Sequence, residues 1–113
     1  MKREDFIRRL VLDKICDDYE NIDQTILRDV ASDAAEFGLA VERSDVVRAL
    51  TDLIGEGLVK AYLLSRHAPY VTEMTGMPAV ERAEEEFGTY FLATQQGIDL
   101  QLSDDSWWPS SAE

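Results

Sequence analysis

The feature that most constrains this chain is a change of hydrophobic period at Gly55-Glu56-Gly57. Before it, Val46, Val47, Leu50, Leu53 and Ile54 recur at steps of three and four, the spacing of a helix with one buried stripe. After it, Leu58-Val59-Lys60-Ala61-Tyr62-Leu63-Leu64-Ser65 is apolar and partly alternating, which reads as a strand. Ser44 precedes the helical run and is the expected N-cap, with Asp45 in the first turn complementing the positive end of the helix dipole. A helix that stops at glycines and passes straight into a strand points to an α+β fold.

Two further helices are expected upstream. From Glu4 to Asp18, Phe6, Ile7, Leu10, Val11, Ile15 and Tyr19 keep helical steps, interrupted once by Lys14. Asp5, Arg8, Arg9 and Asp13 form the expected wet face. The next helix begins near Ile22 or Asp23, capped by Asn21, and carries Ile26, Leu27, Val30, Ala34 and Phe37. Gly38 is placed to close it in the left-handed conformation. A second strand is expected at Thr89-Tyr90-Phe91-Leu92-Ala93-Thr94, rich in aromatic and β-branched residues. Between the strands, Arg66 to Gly88 is long for a hairpin loop. Pro78 to Phe87 reads either as a short helix with proline in its first turn or as irregular chain. Thr94 to Leu102 is a terminal turn or short helix.

At 113 residues the chain fits one domain, expected over 1–102, followed by a polar tail over 103–113 that holds Trp107 and Trp108. Its 45% apolar content is that of a globular protein, and no run approaches the roughly 20 residues that span a bilayer. No secretory signal is read at the N-terminus. The one cysteine, Cys16, cannot form an internal disulfide, and it suits a reducing compartment, so a cytoplasmic location is expected. Eleven Lys and Arg against 23 Asp and Glu leave a net charge of −12, which argues against strong non-specific binding to nucleic acid.

The stretch Ser44-Asp45-Val46-Val47-Arg48-Ala49-Leu50-Thr51-Asp52-Leu53-Ile54-Gly55-Glu56-Gly57-Leu58-Val59 resembles the core of bacterial winged-helix transcription regulators. Those of the multiple-antibiotic-resistance and phenolic-acid types pair a recognition helix with a Gly-Leu-Val step into the first wing strand. Tyr90-Phe91-Leu92-Ala93-Thr94-Gln95-Gln96-Gly97 is similar to their second wing strand, which ends in a threonine with a glycine three residues on. The likeness runs from about Glu4 to Leu102. It implies a mainly helical α+β winged helix, three helices plus a β-hairpin wing with a long loop. It implies DNA binding with the third helix in the major groove. Carried onto this chain, Arg43, Ser44, Arg48 and Thr51 would face DNA, with Lys60 and Arg66 near the wing and Arg28 on a phosphate. The chain departs from that pattern at Asp45, Asp52, Glu56 and Glu73, and again at Glu81 and Glu84-Glu85-Glu86, all carboxylates beside the expected DNA surface.

Each candidate residue also has a plainer reading. Arg48 reads a guanine edge, or it pairs with Asp45 or Asp52 at helical spacing. Cys16 reads as packing rather than as a redox sensor, because Asp17 and Asp18 disfavour the thiolate. His67 lacks a neighbouring ligand or nucleophile and reads as a surface loop residue. Trp107 and Trp108 need apolar cover, on their own domain or as the anchor of a homodimer. No phosphate-cradling loop, metal-ligand cluster or nucleophile–base pattern is visible, so neither an enzyme nor a cofactor is expected. Two functions remain: a DNA-binding regulator, or an acidic interaction module that kept the winged-helix frame and lost its nucleic-acid surface.

Overall fold

The computed structural model describes residues 2–80 and 88–103. The expected sites Trp107 and Trp108 lie outside the described residues, as do Glu81, Glu84, Glu85 and Glu86. The described chain is α+β, with helices α1 (Arg3–Lys14), α2 (Leu27–Ala35), α3 (Arg43–Gly55) and α4 (Gln95–Ser103). Strands β1 (Val59–Leu64), β2 (Val71–Glu73) and β3 (Thr89–Ala93) form one antiparallel sheet in the order β2-β1-β3.

Helix α1 packs against α2, α3 and α4. Its Val11 and Leu12, with Ile15 just beyond its last turn, are fully buried. The helix is shorter than its apolar pattern suggests, ending at Lys14 rather than Asp18. The chain is instead drawn out towards the sheet, where Glu20 and Phe91 exchange backbone hydrogen bonds of 3.1 and 2.9 Å. Arg9, expected on the wet face, is fully buried. A helix covered on several sides has little wet face left, and one turn on from Arg9 the Asp13 carboxylate accepts from Gln101 of α4 at 2.9 Å.

Asn21 is the N-cap expected of it, its side chain accepting from the Gln24 amide at 2.8 Å. The first turn it starts is a π turn, Ile22–Ile26, which runs directly into α2. Gly38 has φ +75°, and the Leu39 amide reaches back to the Ala34 carbonyl, which is the glycine closure anticipated for this helix. Phe37, past the end of α2, still packs edge-on against Phe6 with ring centroids 4.9 Å apart.

Helix α3 is capped by Glu42, not Ser44, which sits one residue inside the helix. The Glu42 side chain accepts from the Asp45 amide, and the Asp45 carboxylate accepts from the Glu42 amide at 2.9 Å. This reciprocal pair satisfies two amides at once and outcompetes the single bond a serine hydroxyl can offer. At the other end, Gly57 has φ +77° and the Leu58 amide donates to the Leu53 carbonyl at 3.0 Å. The chain leaves this closure already pointed into β1.

The sheet departs from the expected two-stranded wing. Three residues of the long loop, Val71–Glu73, add β2 to the outer edge of β1, all three exposed. The described part of the expected helix at Pro78–Phe87, residues 78–80, is non-helical. Thr94 to Leu102 resolves to helix, as α4.

The threonine–glycine spacing after β3 has a local cause. The Thr94 amide donates to the Leu58 carbonyl at 2.9 Å, and its hydroxyl donates to the Gly57 carbonyl at 2.8 Å while accepting from the Gly97 amide at 3.1 Å. One residue thus caps α4 and ties it to the start of β1. Gly97 is buried there, and a Cβ would overlap the Leu58 carbonyl oxygen and press on Leu12 Cδ1. Replacing Gly97 with alanine is therefore expected to cost about 1–3 kcal/mol in urea denaturation. Gly55→Ala, which opens on empty space at the end of α3, should be neutral or stabilise by up to about 1 kcal/mol. Equal midpoints for the two variants would show that α4 does not approach Leu58 this closely.

Candidate functional site

The outward side of α3 exposes Ser44, Arg48, Thr51 and Asp52 at three- and four-residue steps. Its inward side buries Val46, Ala49, Leu50 and Leu53. Arg43, Ser44, Val47 and Arg48 line a shallow open groove whose other wall is Pro78, Ala79 and Val80. Val80 is buried, so the chain returning from β2 is seated beside the N-terminal half of α3 rather than held away from it. Three of the residues proposed from sequence, Arg43, Ser44 and Arg48, therefore share one groove. Arg28, Lys60 and Arg66 do not line it.

Most of the candidate cations are turned to carboxylates. Arg43 holds Asp23 through two bonds of 2.8 and 3.2 Å, with both side chains largely buried. Lys60 reaches Glu73 across the sheet at 2.8 Å, and Arg28 lies 3.1 Å from its neighbour Asp29. The Thr51 hydroxyl donates to the Val47 carbonyl at 2.8 Å, so its proton is spent within the helix. Arg66 is exposed in the turn between β1 and β2, beside the exposed His67.

The acids of α3 are held from α1, not by Arg48. Arg3 binds both Asp45 oxygens, at 3.1 and 3.0 Å, and donates to the Ala40 carbonyl at 2.7 Å. Arg8 lies 3.6 Å from Asp52 and 3.5 Å from Glu56, and also pairs with Asp5. Arg3, Arg8, Asp45, Arg48 and Asp52 thus line a narrow seam between the two helices. The hydrogen bond from Arg3, with the Glu42 amide second and Arg48 a smaller influence, holds the Asp45 carboxyl down at about 2.

The sheet carries a second surface that sequence reasoning passed over. Val59, Ala61, Phe91 and Ala93 point into the core, so the alternate residues Lys60, Tyr62, Tyr90 and Leu92 point away from it. Tyr62 lies directly opposite Tyr90 on β3 and Glu73 on β2. Tyr19 meets Tyr62 edge to face, with centroids 5.1 Å apart and planes at 83°. Burial first, then Glu73 and Tyr19, push the Tyr62 hydroxyl above its ordinary pKa. Period-two alternation through Lys60, Tyr62 and Leu64 was the available signal for this face. The contribution of Tyr19 had none, because it depends on the bridge at Glu20.

Cys16 is half-buried, and its thiol donates to the Leu12 carbonyl at 3.2 Å. Among the described residues no three His, Cys, Asp or Glu side chains converge as a metal site requires, and no helix is long and apolar enough to cross a membrane. Comparison with protein-family models, curated proteins and solved structures finds no match to this chain.

Two expectations follow. The folded-state pKa of Asp45 lies below its ordinary 3.8, so its stabilising contribution is complete above that value and is lost as pH falls towards about 2. Acid unfolding of Asp45→Asn should lack this part of the pH dependence; a curve parallel to wild type between pH 4 and about 2 would show that the Arg3 pair contributes nothing. Burial, with Asp13 and Asp17, pushes the Cys16 thiol up to about 11. At pH 8 its reaction with an aromatic disulfide reagent should be about two orders of magnitude slower than that of a free thiol. A rate near the free-thiol value would mean the side chain is open to water.

Proposed function

We propose that this chain is a protein-interaction module built on a winged-helix frame, and not a reader of duplex DNA. The layout supports the frame: a helix, a short extended bridge at Glu20, two helices, then a hairpin of β1 and β3 beside them. The turn-bearing excursion between those strands takes the place of a wing, and α4 follows as a terminal helix. This arrangement agrees with the resemblance carried by residues 44–59 and 90–97.

The observation that carries the functional reading is the pairing of three of the five cations the frame would turn to a duplex. Arg43 grips Asp23, Lys60 grips Glu73, and Arg28 lies on Asp29. Strength is not the point, since the two exposed pairs, Lys60–Glu73 and Arg28–Asp29, contribute little. The consequence is that any phosphate approaching one of these cations also approaches its carboxylate. The N-terminus of α3, a natural anion site in other proteins, is already occupied by the carboxylates of Glu42 and Asp45. Residues 78–80 also stand beside the half of α3 that would lead into a major groove. With a net charge of −12, little is left to release counterions from DNA.

A specific observation favours the second reading, a DNA-binding regulator: Ser44, Arg48 and Thr51 are exposed along one side of α3. The two readings separate in a fluorescence anisotropy titration of a labelled random duplex at low and near-physiological salt. The interaction module is expected to give no saturable binding at either. Binding that weakens steeply with salt and is lost in Arg48→Ala would overturn it in favour of the regulator.

A further inference from the structure

The tyrosine face of the sheet has a chemistry that α3 lacks. Tyr62 and Tyr90 stand side by side on paired strands, and Tyr19 closes over Tyr62 at a near-right angle. All three rings are partly exposed. An edge-to-face pair leaves the negative face of one ring open to a cation. Glu73, directly across from Tyr62, adds a carboxylate beside the rings, and the exposed Asp17 and Asp18 lead into Tyr19. A cation nearby in register, Lys60, is bound to Glu73 by an exposed pair in which about half of each side chain faces water, at 50% and 57%. Such a pair is readily exchanged for a better partner.

We propose that this face docks an arginine-bearing segment of a partner protein, its guanidinium stacking on the tyrosines and taking Glu73 from Lys60. Arginine fits better than lysine because its planar group stacks on an aromatic ring and meets a carboxylate through two parallel bonds at once. Charge complementarity favours a basic partner, since the chain carries −12 overall. A single-stranded nucleic acid would also find rings to stack on, but its phosphates would meet Glu73, Asp17 and Asp18. The inference rests on the interaction-module reading and names the chemistry of the partner.

The test is an NMR titration of the full-length ¹⁵N-labelled chain with a short Arg-Gly repeat peptide, its Lys-Gly counterpart, and an oligothymidylate. The arginine peptide is expected to shift the amides of Tyr19, Tyr62, Glu73 and Tyr90, and to bind about fivefold tighter than the lysine peptide. Tyr19→Leu should weaken it about fivefold, while Lys60→Gln, which releases Glu73, should tighten it about threefold. Equal affinity for the two peptides, indifferent to both substitutions, would mean attraction to net charge alone and would overturn the inference while leaving the interaction module standing. The same amides shifted by the oligothymidylate would overturn it in favour of base stacking. Saturable binding to a duplex that Lys60→Gln weakens would remove the interaction-module reading itself.

Discussion

The other described helices of this protein are placed by the need to cover α1. Val11, Leu12 and Ile15 are withdrawn completely from water, and α2, α3 and α4 each pack on α1. Fully burying an aliphatic side chain is worth about 1.5–3 kcal/mol, so the apolar set of α1 outweighs the exposed ion pairs elsewhere on the molecule. The sheet is attached at the same place, through the Ala93 amide bonded to the Ile15 carbonyl at 2.8 Å. Short pieces of secondary structure that would be marginal alone are thereby gathered around one buried helix.

That central role explains which parts of the fold were legible in the sequence. The helical periods around Val30 and Leu50, the closing glycines Gly38 and Gly57, and the cap at Asn21 are all local, and the structure has them in place. The burial of Arg9 was not legible, because periodicity on one helix does not say how many neighbours surround it. Nor was β2, whose three residues face water and carry no apolar pattern; its pairing with β1 alone defines it. Ser44 was misread because a serine beside a helix is a strong local signal. The capping box that displaced it uses two acids, one of which also needs Arg3.

The same distinction applies to the site. Helical spacing offered Asp45 and Asp52 to Arg48, yet Asp45 is taken by Arg3 from 42 residues away, and Asp52 lies near Arg8. Partners that arrive across the fold cannot be read from spacing along it. The acids of α3 are therefore less a repulsive defect than the means by which α3 is held to α1. The pairing of Arg43 with Asp23 likewise links the start of α3 to the π turn before α2. The acids on and just after α3 that look like a compromised binding surface in the sequence are, in the structure, connections to α1.

The junction at Thr94 has a consequence for how this fold can vary in length. Leu58 and Thr94 bring together the end of α3, the start of β1, the end of β3 and the start of α4, with Gly97 packed against the Leu58 backbone. Whatever the chain does between Leu64 and Gly88, it must leave and return through that fixed gate. Insertions or deletions inside the excursion leave the gate unchanged, since loop closure cost grows only slowly with length. A single residue added between Gly57 and Val59 would shift the sheet against α3, and one added between Ala93 and Gly97 would shift it against α4. Relatives of this protein are thus expected to differ widely in the excursion and hardly at all in the two short stretches that bound it.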